Sequence, residues 1–212
     1  RQMCIRDRNK RFITFEGGEG SGKSTQIRLF KKKLSKIGNV ILTREPGGTK
    51  ESELIRNILV KGKETKFSDE VEILLLFAAR KDHLDKVIIP NLKKKNYVLC
   101  DRYIDSTFAY QAKGKHSNLK LIRLLNKSIT GNFLPSLTFY LDIDPSKGIR
   151  RSKRSSNKEL RFENMPLSYH RQIRQNFLKL SKKHKRIVKI DASLSKKEIG
   201  DTIWKVFNKT KI

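Results

Sequence analysis

Residues 17–24 read GGEGSGKS, a complete G-x-x-x-x-G-K-[ST] pattern, and this restricts the fold more tightly than length, composition or charge. An apolar run, FITFE, enters the loop, and a run with helical periodicity, TQIRLFKKKL, leaves it. The glycines let the backbone wrap close to a ligand, so that its N–H groups converge on phosphate oxygens. The dipole of the following helix adds positive potential at the same point. Gly17, Gly18, Glu19, Gly20, Ser21, Gly22, Lys23, Ser24 and Thr25 are therefore the expected nucleotide-binding loop. Lys23 is placed to reach β- and γ-phosphates, and the Ser24 hydroxyl to help hold Mg²⁺. The motif alone says nucleotide; it leaves kinase, GTPase and nucleic-acid motor open.

The rest of the chain alternates short apolar runs with longer amphipathic stretches, the pattern of an α/β fold with a parallel sheet. Strands are expected at Phe12–Glu16, Val40–Thr43, Tyr97–Asp101, Leu137–Ile143 and Ile187–Asp191. Helices are expected near 23–37, 51–60, 70–93, 105–112, 118–130, 146–153, 166–184 and 196–208. Pro90 falls near the end of the third of these and should kink or end it. Runs such as YVLC and LTFYL are almost wholly apolar, as strands covered on both faces must be. Without repeats or a low-complexity linker, 212 residues read as one domain spanning 9–212. Residues 1–8 precede the first strand awkwardly, lack the apolar stretch of a secretory signal, and are expected to be a non-native or disordered extension.

Lys and Arg number 49 against 21 Asp and Glu, a formal charge of +28. Such an excess suits nucleic-acid binding or a lysine-rich solvated surface facing a polyanionic substrate. The lysines are scattered, and aromatics are not interleaved with them as stacking platforms require, so the second reading is preferred. No apolar run is long enough to span a bilayer. Two cysteines, Cys4 and Cys100, make no disulfide framework and fit a reducing cytoplasm. The four histidines have no metal-ligand spacing, and His83 reads as a surface or interface residue.

Ligands of an open parallel sheet sit beyond the carboxyl ends of the strands. The second strand runs into TREPGGT at 43–49, which places Arg44 there; taken alone, Arg44 is equally an ordinary loop residue. The third strand ends in Asp101 and Arg102. Asp101 suits the Mg²⁺ shell and Arg102 a second phosphate, the alternative being an Asp–Arg pair capping the next helix. Asp142, ending the fourth strand, is a weaker candidate for the metal-side carboxylate. Two arginines at two strand ends beside one phosphate loop suggest two phosphate-bearing ligands meeting head-on, the geometry of phosphoryl transfer. An acceptor phosphate oxygen is already nucleophilic at neutral pH, so no general base is required.

The set EGGEGSGKST, TREPGGT, AAR at 78–80, DRY at 101–103 and AYQ at 109–111 resembles the thymidylate kinase family, in order and spacing, from about Arg11 onward. The resemblance implies a P-loop NTPase fold, three layers α/β/α with a five-stranded parallel sheet. It further implies a homodimer and Mg²⁺-dependent transfer from ATP to dTMP. By position, Arg44 and Arg102 would bind the dTMP phosphate and Glu19 would approach the 3′-hydroxyl. Arg80 would face the thymine carbonyl edge, Thr107 and Gln111 would flank the base, and Tyr110 would pack where a ribose 2′-hydroxyl would collide. Where the family has an aromatic residue stacked on the base, this chain has Leu76, with Phe77 one place on, about 100° around a helix. Either Leu76 covers the base by apolar contact, or the helix is locally overwound and Phe77 turns in; Phe77 is equally a core or dimer-interface residue.

After the fourth strand, Lys147–Glu163 carries Arg150, Arg151, Lys153, Arg154, Lys158 and Arg161 against Glu159 and Glu163. This is either a solvated basic loop or a lid over ATP whose arginines meet the charge on the transferring phosphoryl. The phosphate loop has no arginine of its own, which favours the lid, with Arg151 and Arg154 as first choices. Leu160 stands where the family commonly has an acidic residue. The competing functions are a nucleic-acid-dependent ATPase, a kinase for another monophosphate such as dUMP or CMP, and a non-catalytic scaffold; the last would lack Lys23 and the metal-side residues.

Overall fold

The computed structural model of the chain describes residues 9–61, 66–112, 117–153 and 165–210. The described residues form a five-stranded, wholly parallel sheet of β1 (Phe12–Glu16), β2 (Val40–Arg44), β3 (Tyr97–Asp101), β4 (Leu137–Asp142) and β5 (Ile187–Asp191). The order is β2-β3-β1-β4-β5, with β1 at the centre. Side chains of a strand alternate between faces, and the packing follows. Ile13, Phe15 and Leu99 enter one core with Phe30, Phe139 and Phe207, while Phe12, Val98 and Cys100 enter the other with Ile73, Phe77 and Tyr103. Both faces are dry, and each fully buried large apolar side chain contributes about 1.5–3 kcal/mol.

The helices are α1 (Lys23–Leu34), α2 (Lys50–Val60), α3 (Asp69–His83), α4 (Ile89–Lys93), α5 (Ile104–Tyr110), α6 (Ser117–Thr130), α7 (Pro145–Ser152), α8 (Leu167–Lys183) and α9 (Lys196–Lys209). Several starts are written in the sequence. Thr49, Ser68 and Asp144 cap α2, α3 and α7 with side-chain oxygens, and Ser195 with Glu198 forms a capping box at α9, as small polar residues at these positions should. The expected helix over 70–93 is interrupted. Leu84–Ile88 is a π turn, and the helix resumes with Pro90 in its first turn. Proline offers no N–H to the preceding turn, and the wider turn accommodates that gap. The sheet also departs from uniform burial: β2, an edge strand, is only half-buried.

Candidate active site

The carboxyl ends of β1, β2 and β3 open on one cleft of about 980 Å³, lined from the phosphate loop to α3 and α5. The loop after β1 turns through left-handed backbone at Gly20 (φ 64°) and Gly22 (φ 84°), conformations that suit glycine. A Cβ on Gly20 would collide with the Gly148 carbonyl of α7, so loop and helix meet backbone to backbone. Lys23 Nζ donates to the carbonyls of Gly17 (3.0 Å) and Gly18 (3.2 Å). Burial, together with Arg102, lowers its pKa, and an anion at the loop would relieve both effects. Ser24 Oγ donates to Asp101 Oδ2 at 3.3 Å across the mouth of the cleft. Asp142 faces elsewhere: it accepts from Arg174 Nε (2.8 Å) and Nη2 (3.1 Å) and from the Tyr140 hydroxyl.

Arg102 joins the phosphate loop to the acceptor side. Its backbone is left-handed (φ 67°), uncommon for a side chain of its size. Nη1 donates to Gly17 O and Ser106 Oγ, both at 3.1 Å, and Nη2 to Glu19 Oε1 at 2.9 Å. The Tyr110 ring lies 5.0 Å beneath the guanidinium, and its hydroxyl donates to the same Glu19 oxygen at 3.2 Å. Burial opposes ionisation of Glu19, but Arg102 and Lys23 outweigh it and hold the carboxyl below its usual range. Arg44 also lines the cleft, half-exposed, and donates to Glu53 Oε2 at 2.9 Å. Arg56, three residues beyond Glu53 on α2, lines it too and donates to Pro46 O at 2.9 Å.

The far end of the cleft is drier. Arg80 is 2% exposed, its guanidinium carbon lying over the rings of Phe77 (4.9 Å to the centroid) and Tyr103 (5.2 Å). Nε donates to Glu45 Oε2 at 2.8 Å and Nη2 to Thr107 Oγ1 at 2.9 Å. No hydrogen-bond acceptor among the described residues reaches Nη1, although a buried donor without a partner costs about 1–3 kcal/mol. Gln111 Nε2 donates to Glu72 Oε1 at 2.7 Å, and both residues line the cleft.

One alternative left open by the sequence is narrowed here, and one expectation is corrected. Leu76 lines the cleft, whereas Phe77 is wholly buried in the core of that sheet face; α3 keeps its normal phase at this point, so Phe77 supports Arg80 from below and does not reach the cleft. His83 is not at a surface. It is 0% exposed, with Nδ1 3.1 Å from Glu45 Oε1 and Nε2 2.6 Å from Thr43 Oγ1. A histidine whose two nitrogens both meet oxygen partners can be buried where a bare one could not.

Arg150 and Arg151 lie on the last turn of α7, both exposed; Arg151 borders the cleft and its Nη1 donates to Ala192 O at 2.9 Å. Arg154, Lys158, Leu160, Arg161 and the rest of 154–164 lie outside the described residues, as do residues 1–8. Glu16, Glu45, Arg56 and Glu72 were not singled out from the sequence. Arg56 carried a signal in its spacing of three from Glu53; Glu16 and Glu45 lie inside the EGGEGSGKST and TREPGGT runs, and Glu72 carried no signal.

These features fit a two-ligand phosphoryl-transfer site, and comparison with known proteins agrees. A family model described as thymidylate kinase matches residues 15–203. The chain is 46% identical over 197 residues to a thymidylate kinase of Magnetococcus marinus, covering 92% of this chain and 94% of that one. It is 46% identical over 187 residues to a thymidylate kinase of Acholeplasma laidlawii, covering 87% and 92%. The crystal structure of thymidylate kinase from Ehrlichia chaffeensis matches with a TM-score of 0.72 at 35% identity, over 92% of this chain and 97% of that one.

Proposed function

The chain belongs to the thymidylate kinase family and phosphorylates dTMP to dTDP with ATP, and on that premise we propose how its residues divide the work. The phosphate loop, residues 17–25, cradles the ATP phosphates, with Lys23 on the β- and γ-phosphates. Arg44 and Arg102 grip the dTMP phosphate and bring one of its oxygens in line with the γ-phosphorus. Two phosphates held by fixed cations lose the freedom that otherwise makes such encounters rare. The observation that carries this assignment is Arg102, whose guanidinium touches both Gly17 of the loop and Ser106 of the acceptor wall.

Ser24 and Asp101 supply the donor set that suits Mg²⁺: a hydroxyl and a carboxylate, hard oxygens close enough to share an ion, which characteristically keeps waters and substrate phosphates as its other ligands. When bound, the ion neutralises charge developing on the phosphates. Glu19, held by Arg102 and Tyr110, faces the sugar, and Tyr110 fills the space a 2′-hydroxyl would need. Leu76 covers the base and Arg80 meets its carbonyl edge, with Thr107 and Gln111 alongside. Arg151 of α7, with Arg154 beyond it, is assigned to the transferring phosphoryl.

The reading extends to a homodimer and a cytoplasmic location. Leu54 and Ile58 of α2 and Val71 and Leu74 of α3 are 42–60% exposed, an apolar stripe that a second copy would cover. Among the described residues no helix is long and apolar enough to cross a membrane, and Cys100 is a buried free thiol.

Steady-state kinetics of Arg102→Ala, each substrate varied in turn, tests the division of roles. The Michaelis constant for dTMP is expected to rise by about tenfold or more, as loss of a hydrogen bond to a charged group implies, with that for ATP changing less. An effect confined to ATP would reverse the assignment.

A further inference from the structure

Arg80 is a buried, tightly held charged group in the cleft, and one of its constraints comes from a residue with no role so far. Its planar guanidinium lies against two aromatic rings and is bonded through Nε and Nη2, while Nη1 has no acceptor among the described residues. The Nε partner, Glu45, is itself 4% exposed. Its second oxygen is engaged by His83 Nδ1, and His83 Nε2 by Thr43 Oγ1. In a neutral imidazole the nitrogen facing a carboxylate carries the proton, which leaves Nε2 to accept from the Thr43 hydroxyl. Both oxygens of Glu45 are thus committed, and its rotamer is set from two sides. The turn that follows packs as closely, since a Cβ on Gly48 would run into His83 and Thr43.

We propose that Glu45 is a positioning residue for base selection. By fixing the rotation of Arg80, a residue of the cleft wall, it leaves the buried Nη1 as the guanidinium nitrogen without an acceptor among the described residues, a donor that a base seated against Arg80 would satisfy. A pyrimidine with a carbonyl at that position completes the set. One with an amino group there, cytosine in place of thymine, sets donor against donor and leaves both buried and unpaired. Sites built to hydrogen-bond one group reject its replacement far more strongly than apolar pockets reject a change of size. Uracil keeps the same carbonyl, so Glu45 does not separate dTMP from dUMP. The proposal rests on the reading that Arg80 meets the base.

The test is kcat and KM for dTMP, dUMP and dCMP in the wild type, Glu45→Gln, Glu45→Asp and Arg80→Met. Glutamine keeps the shape of Glu45 and loses the charge that holds the guanidinium. It is expected to lower the dTMP-to-dCMP ratio of kcat/KM by about tenfold or more, mainly through KM for dTMP, leaving KM for ATP and the dTMP-to-dUMP ratio unchanged. Aspartate keeps the charge on a shorter arm and should show the same pattern at smaller size, which keeps the test open if the glutamine variant does not fold. If Arg80→Met lowers the ratio and neither Glu45 variant does, the reading of Arg80 stands and the role of Glu45 is overturned. If Arg80→Met leaves the ratio unchanged, the reading of Arg80 has failed and the proposal falls with it.

Discussion

Glu16 illustrates how much one side chain contributes without touching substrate. It ends β1, one residue before the phosphate loop, and is wholly buried. Its carboxyl group takes the backbone N–H of Tyr103 (2.8 Å) and Ser106 (3.3 Å) and the Ser106 hydroxyl, and that hydroxyl in turn accepts from Arg102. The left-handed backbone at Arg102 is therefore pinned from the neighbouring strand, as strained residues must be if they are to persist. Burial, followed by the charge of Asp105, pushes the pKa of Glu16 from 4.5 up to about 8. The folded state then holds a proton that the unfolded chain gives up above about pH 4.5, so this group favours folding most below that value and progressively less as the pH rises through about 8. Thermal midpoints between pH 5 and 9 should fall for the wild type and fall less for Glu16→Gln. Parallel profiles would mean that Glu16 does not titrate in this range.

Elements here are tied by buried ions as well as by apolar contact. Asp105 on α5 is 1% exposed and receives Arg186, just before β5, through Nη1 and Nη2, each at 2.6 Å. Arg186 Nη1 also donates to Thr138 Oγ1 of β4 at 2.9 Å, and Thr138 bonds Thr14 of β1 at 2.7 Å. The helix carrying Ser106, Thr107 and Tyr110 is thereby anchored to β4 and β1 and to the residue that leads into β5. Removing one member of a buried pair strands the other charge, which costs about 3–5 kcal/mol. Arg186→Met should lower the free energy of unfolding by that order in urea titrations. A loss below about 1 kcal/mol, the value of an exposed pair, would show that water reaches Asp105 freely.

At the scale of the whole molecule, the exposed apolar residues of α2 and α3 bear on assembly. Leu54 and Ile58 lie one turn apart on α2, Val71 and Leu74 one turn apart on α3, and the two helices pack side by side. A two-fold interface uses the same patch on both copies, so one substitution is felt twice. If the proposed dimer forms through this patch, Leu74→Glu is expected to turn it into a monomer in sedimentation velocity at micromolar concentration, because two carboxylates would be buried together. A wild-type chain that sediments as a monomer would dispose of the dimer outright.

Much of this was legible along the chain because its causes are local. Strand and helix limits follow from apolar periodicity and capping residues, and the loop at 17–24 from glycines whose conformations nothing else adopts as readily. Arg44 and Arg102 could be placed because a residue ending a parallel strand has a known side of the sheet to face. What could not be read were partnerships between distant residues. Leu76 and Phe77 are neighbours of similar character, and the phase of α3 against the core sends one to the cleft and the other inward. His83 looked like a surface residue until Glu45 and Thr43, about 40 positions away, supplied partners for both ring nitrogens. Glu16 and Glu45 stand inside motif runs that assign them no role of their own. A carboxylate's role depends on which donors surround it, and only the packing of β1, β2, α3 and α5 brings those donors within hydrogen-bonding distance.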